Sequence, residues 1–432
     1  MNKTRSSFKR EAMIIIIVIL LFAVTLCFWI AHSKGNSNVT DPSLTSNEPI
    51  ASESETSNKN DDSSDITFTP GDDLTITKAG VYNLTGIYED QMLVVQAGEE
   101  DNVQIILNNA QISNSNGPAI FVRSAGKVSL TADDGSENSI SDGSDYTLLE
   151  DEKSVDAAVF STADLTIEGS GNLSITGNNK HAVVSKDNLV VTAKNLSVES
   201  VSSGLTGKDS VTLSDAEVTI NAGTDGIHSE GTVTVFGDSL TIQCGDDAIR
   251  ANEKIDIAGG TVTLHAAEGI EATYVLIQSG DITIQASDDG INGAYKSDAY
   301  TPTVEITGGN LTVNMGAGDT DGIDSNGNLI ITGGTISVNG SSAFDYDGTL
   351  TFTGGTVYVN GQQVTEIANQ FMGGMGGFGG HGGQGEMGGR CEFGTPPDMP
   401  SDIPADFGNQ PPSGFHGPHG EQDWQGGFNE GT

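Results

Sequence analysis

The sequence predicts an all-β chain: a right-handed parallel β-helix with three short strands in each turn of the repeat, an N-terminal transmembrane segment and a disordered C-terminal tail. Three observations carry this. A Gly/Ala–apolar pair recurs at nearly constant spacing, and two short runs of alternating apolar and polar residues follow each copy. Aromatic residues make up only 6% of the chain, too few for a broad core but enough where stacked aliphatic side chains fill a narrow one.

In chain order, Lys3, Arg5, Lys9 and Arg10 precede an apolar run over 12–31. That run is long enough to cross a bilayer as a helix, and its basic flank keeps the N-terminus cytoplasmic. Ala31 and Ser33 also suit a cleavage point, so the segment reads as a retained anchor or as a long signal peptide. Bulky Leu26 before Cys27 argues against lipidation. Every one of these readings exports the rest of the chain, which is expected to be extracellular, anchored at the cell surface or secreted. Residues 1–33 are therefore the stub and membrane segment, and 34–65 a flexible linker of Ser, Asn, Asp, Glu and Thr. The β-helix is expected over 66–365, followed by a Gly- and Pro-rich low-complexity tail over 366–432.

The repeat is Ala182-Val183, Gly204-Leu205, Gly226-Ile227, Ala248-Ile249, Gly269-Ile270, Gly290-Ile291, Gly322-Ile323 and Ala343-Phe344. The step from pair to pair is nearly even, at about 21–22 positions, a period that marks a solenoid. The one long step, from Gly290 to Gly322, contains an insertion around 292–303. Ala119-Ile120 and Ala158-Val159 are looser copies, with an acidic insertion between them near 132–156. After each pair come two strands, as at 232–235 and 240–242 across a turn at Gly237-Asp238, or 255–257 and 262–264 across Gly259-Gly260. Their period of two marks one buried face. A left-handed hexapeptide helix would repeat in sixes, which this sequence does not, so right-handed winding is expected. Cys244 continues the alternation of Leu240 and Ile242 and should point inward; only three cysteines, far apart, exclude a disulfide framework.

The net charge of −41, from 18 basic and 59 acidic residues, excludes nucleic acid and anionic lipid as surface partners and favours cations. Aligned on the repeat, the residue before each pair is Asp225, Asp247, Glu268, Asp289 and Asp321 in five consecutive copies. Asp246, Asp288 and Asp319 lie just before three of these, and His228, Arg250, Glu271, Asn292, Asp324 and Asp345 just after the pairs. In a β-helix these positions stack. Like charges about 5 Å apart repel by roughly 3 kcal/mol at an effective dielectric of 20, and no Lys or Arg lies between Lys296 and Arg390. Hard oxygen ligands at that spacing suit Ca2+. Asp225 with Asp246 and Asp247 forms one expected group; Asp288, Asp289 and Asn292 with Asp319, Asp321 and Asp324 form another. Solvated turn residues would explain Asp before Gly, but not doubled acids or Glu268 in the same column. The insertion leaves the column directly and brings Tyr295 and Tyr300 as stacking candidates and Lys296 as a partner for a uronate carboxylate. The seven histidines lack zinc spacing.

The Asp-Gly-Ile units, the Gly-Gly-Thr turns (259–261, 333–335, 354–356) and the Gly/Met/Phe-rich tail resemble a secreted carbohydrate-binding β-helix family of Gram-positive bacteria of the cellulolytic clostridial type. That resemblance covers about 66–365 and implies a pectate-lyase-like fold, acidic calcium sites, and binding of cellulosic or acidic polysaccharide without cleavage. Calcium-dependent β-helix lyases use a motif like Asp-Asp-x-x-Asp. Asp246-Asp247-Ala248-Ile249-Arg250 and Asp288-Asp289-Gly290-Ile291-Asn292 match all but its last position, and Asp321-Gly322-Ile323-Asp324 keeps the last but begins with Thr320. Lysis also needs a base beside the metal, for which Arg250, Lys254 and Lys296 are the candidates. The expected function is calcium-dependent polysaccharide binding. A polysaccharide lyase and a structural adhesin or spacer are the alternatives.

Overall fold

The computed structural model describes residues 66–369, apart from Asp73, 148–153, Asp238 and 317–319. The segment expected to cross the membrane, the expected linker, the tail beyond 369 and Asp319 lie outside the described residues. Among the described residues, no helix is long and apolar enough to cross a membrane.

Strands run from Ile66–Phe68 to Gln362–Val364 and form a parallel solenoid of about 12 turns. Its first face is a 12-stranded sheet from Thr75–Ile76 to Ser342–Phe344, and a 22-stranded sheet makes the second and third faces. The repeat sets the register: Leu205, Ile227, Ile249, Ile270, Ile291 and Ile323 stack one on another, and Phe344 closes the column. All are at most 2% exposed. Val233, Ile255, Val275 and Val304 form a parallel column from the second face. One turn cannot bury its own inner side; each does so only on its neighbours.

Where the first face meets the second, a column of small residues fills the corner, and several are serines at 0% exposure. Ser161 donates to the carbonyl of Ala163 at 2.7 Å and Ser325 to that of Asn328 at 3.0 Å. These hydroxyls donate to backbone carbonyls at the bend, so the buried corner serines are satisfied. At the C-terminal end, Gln362–Val364 folds back antiparallel on Thr356–Val359 and covers that edge, which blocks pairing with another chain there.

Three expectations are corrected. Gly259-Gly260 does not separate two strands: Lys254–Ala266 runs across the corner unbroken, with register shifts at Ala258. Gly260, at φ +95°, makes the bend without breaking the pairing. The acidic insertion starts later than 132, because Glu137–Ser141 is an ordinary strand of the solenoid. Asn138 holds an inward slot there, accepting from Ala110 N at 3.0 Å and donating to Ser136 Oγ and the Asn172 carbonyl, so the apolar alternation was hidden. Cys244 packs against the core, as its alternation implies, but is half-buried where full enclosure was expected. It ends its strand at a corner where only small neighbours, Ala222 and Ala266, stack beside it. A groove of about 760 Å³ opens there, and burial pushes the thiol up to about 12.

Candidate functional site

The first face carries two columns of side chains on its outer side. One contains Asp247 and Glu268, in direct register. Backbone bonds from Gly226 N to the Asp247 carbonyl, Gly269 N to Asp289 and Gly290 N to Asp321, each 2.9 Å, extend it in both directions. The other is His228, Arg250, Glu271, Asn292 and Asp324 in consecutive turns. The chain turns tightly between the two columns. A Cβ on Gly290 would lie 2.3 Å from Val313 Cγ1. Residues three apart therefore meet outside: Asp225 with His228 at 3.5 Å, Asp247 with Arg250 at 3.4 Å, Asp289 with Asn292 at 3.4 Å.

Asp247, Glu268 and Glu271 converge, each offering an oxygen within 4.8 Å of the others. This differs from the grouping expected around Asp225, Asp246 and Asp247: Asp246 is exposed and its carbonyl serves the turn, accepting from Ala267 N and Glu268 N. Asp288 is likewise exposed. The basic residues are closer than the sequence indicated. Arg250 Nη1 lies 3.4 Å from Asp247 and its Nε 3.6 Å from Glu271, and Lys296 Nζ lies 2.7 Å from the other Glu271 oxygen.

Burial and mutual repulsion push these carboxyls up. Asp247 reaches about 8, from burial first and then Glu271 and Glu268, against the pull of Arg250. Glu268 reaches about 7, from burial, Glu271 and Asp289. Asp324 reaches about 7, from burial and then Asp289, Asp345 and Asp321. Asp289 reaches about 6, from burial, tempered by the bond it accepts from Asp321 N. Burial also raises Asp345. Among the described residues, no Lys or Arg forms an ion pair with Asp289, Asp321, Asp324 or Asp345. Buried oxygens of Asp225, Asn292 and Asp345 have no hydrogen-bond partner. A hard cation with six to eight oxygen ligands matches this donor set.

The insertion docks beside the columns. Thr273, fully buried, accepts from the backbone N–H groups of Lys296 and Ser297 at 3.0 and 2.9 Å. Tyr295 is 63% and Tyr300 40% exposed. Tyr300 packs on Tyr274, ring centroids 5.4 Å apart, and Lys254 Nζ sits 5.9 Å above the Tyr274 ring while paired with Asp256 at 2.8 Å. Sequence reasoning missed Tyr274. Its alignment with Lys254 and Thr303 at the start of the second face was the available signal.

Toward the N-terminus the outer column continues as Thr206, Val184, Phe160 and Phe121. Phe121, Phe160 and Val184 pack with Val155 and Tyr146 from the other insertion. The first face is thus apolar and covered at one end, acidic at the other.

A family model described as "Carbohydrate-binding domain-containing protein" matches residues 70–316 and 267–364. A protein of Acetivibrio thermocellus with the same description is 29% identical over 129 residues, 30% of this chain and 45% of that protein, so the match spans less than half of the relative's length. A solved structure described as the polysaccharide lyase-like protein from C. thermocellum, gadolinium derivative, is 22% identical and covers 65% of this chain and 88% of its own. Its TM-score is 0.33, too low to extend anything from that protein to this chain.

Proposed function

The chain belongs to the carbohydrate-binding domain-containing family, and from that premise we propose that it binds an acidic polysaccharide through Ca2+ held on the first-face carboxylate columns. The supporting observation is the run Asp289, Asp321, Asp324 and Asp345, stacked without a basic partner among the described residues, two of its members pushed up to about 6 and 7. These four, with the orphaned amide oxygen of Asn292, would hold the ion. When bound, Ca2+ supplies a bridge between protein carboxylates and uronate carboxylates, two groups that otherwise repel. Tyr295 and Tyr300 offer exposed ring faces for sugar beside it. The domain is read as lying outside the cell, carried on the 1–33 segment or released from it. Right-handed winding follows the general preference of parallel crossovers.

Retention on immobilised polygalacturonate is expected with millimolar-range calcium and is expected to vanish with chelator. Equal retention under both conditions would overturn the calcium bridge. Retention on cellulose regardless of calcium would move the reading to a neutral glycan, and retention on neither would leave an adhesin or spacer.

Catalysis is not part of this reading. A lyase base needs a free lone pair, and each candidate spends its charge on a carboxylate: Lys296 and Arg250 on Glu271, Lys254 on Asp256. Incubation with polygalacturonate and calcium should give no rise in absorbance from unsaturated product; a sustained rise would restore the lyase alternative.

A further inference from the structure

The 292–303 insertion lengthens the single turn between Gly290-Ile291 and Gly322-Ile323, and its Lys296 reaches back to a carboxylate of the preceding turn. We propose that Lys296 is a tethered counter-ion: the insertion delivers its ammonium to the Asp247, Glu268 and Glu271 cluster and so directs a divalent cation further along the column. This is a specificity-determining role, and it rests on the calcium reading above.

The cluster has the dimensions of a divalent site. Its oxygens lie within 4.8 Å of one another, and opposite ligands of one Ca2+ are up to about 5 Å apart. Yet both Glu271 oxygens already face the protein's own cations. Oε1 pairs with Lys296 at 2.7 Å, Oε2 with Arg250 at 3.6 Å, and Arg250 also reaches Asp247. Three carboxylates therefore meet two fixed positive charges. One turn on, Asp289, Asp321 and Asp324 meet none among the described residues, and no Lys or Arg follows Lys296 in the sequence until Arg390.

The ammonium is held in place by the backbone of its loop, not by chance reach. Thr273 is two positions beyond Glu271 and fully buried. It donates to the Asn252 carbonyl at 2.7 Å and accepts from Lys296 N and Ser297 N. Loop anchoring is thus achieved by backbone bonds, which leaves the Lys296 side chain without a required fastening role. That side chain, 28% exposed, projects over Glu271, where a solvent cation would otherwise sit.

The test is calorimetric titration of Ca2+ into the intact chain, with Tb3+ luminescence as an independent count of sites. Lys296→Met, which keeps the aliphatic stem, should add one divalent site or tighten the first by about tenfold, because a competing cation is gone. Lys296→Arg should behave as the wild type, and adding Glu271→Gln to Lys296→Met should erase the gain. Should Lys296→Met fail to fold, Thr273→Val frees the loop while leaving Glu271 intact, and the same gain is expected. A folded Lys296→Met with an unchanged titration, or with weaker binding and a lowered melting point, would make Lys296 a structural clasp and overturn the proposal. Should the wild type bind no calcium while Lys296→Met gains a site, the calcium reading of the native column fails and the counter-ion role stands. Calcium binding by the wild type with no change on substitution does the reverse: the calcium reading stands and the counter-ion role fails.

Discussion

Lowering the pH from about 8 to about 6.5 without divalent cation should raise the melting temperature. Asp247, Glu268 and Asp324, held near 8, 7 and 7, take up protons in the folded chain over this window, Asp247 from its upper end and the other two mainly from about pH 7 downward. The same groups titrate near 4 once unfolded. The folded state thus binds more protons than the unfolded one, and stability must fall as pH rises between the two sets of values. A tenfold difference in acidity between the two states corresponds to about 1.4 kcal/mol. Titrating separately, the three would give about 3 kcal/mol over this window; because they titrate as a set and relieve each other as the first takes a proton, the net gain is smaller, on the order of 1–2 kcal/mol. Below 6.5 an opposing effect enters. Burial lowers His181 and His228 despite Asp156 and Asp225, so acid favours their unfolded forms. Melting should therefore rise, then level off. Saturating calcium should remove the share carried by Asp324, where a bound cation does what the proton does, and leave the share carried by Asp247 and Glu268, whose cluster already meets Arg250 and Lys296. Asp247→Asn should remove a large share of it without any calcium. A melting temperature flat from pH 8 to 6.5 in chelator would show that the columns do not carry this strain.

Ile270→Asp should disrupt the solenoid at its middle. Ile270 is fully buried, stacked between Ile249 and Ile291 in the inner column of the first face. A carboxylate there has no polar partner and cannot reach water. The cost is about 3–5 kcal/mol or more, against a total stability of about 5–15 kcal/mol for ordinary domains. Since each turn is stabilised mainly by its neighbours, the damage should spread to the turns holding Glu268, Asp289 and Asp321. Urea unfolding should show a sharply lowered midpoint, and calcium-dependent binding should be lost with it. Ile270→Val is the control, expected to cost about 0.5–1.5 kcal/mol. An Ile270→Asp midpoint equal to that of the wild type would mean the column is not the source of stability.

The sequence by itself determined what repeats. A pair such as Gly226-Ile227, returning at a nearly constant step, specifies which residue stacks on which, because parallel strands allow one register for an alternating buried face. The aliphatic columns inside follow, and so do the two outer columns from Asp225 to Asp321 and from His228 to Asp324. Only the tertiary structure decided what does not repeat. Lys296 and Glu271 are distant along the chain, and nothing local predicts that the ammonium returns to that carboxylate; docking of the insertion on buried Thr273 does this. Whether Asp247 meets Asp246 or Glu271 depends on how side chains leave a sharp bend, where the period of two no longer holds. Likewise the packing of Val155 and Tyr146 on Phe160 joins segments with no shared spacing. A one-dimensional pattern fixes neighbours along the solenoid axis. The charge balance at any one turn is set across that axis, by loops whose positions come from burial and hydrogen bonding.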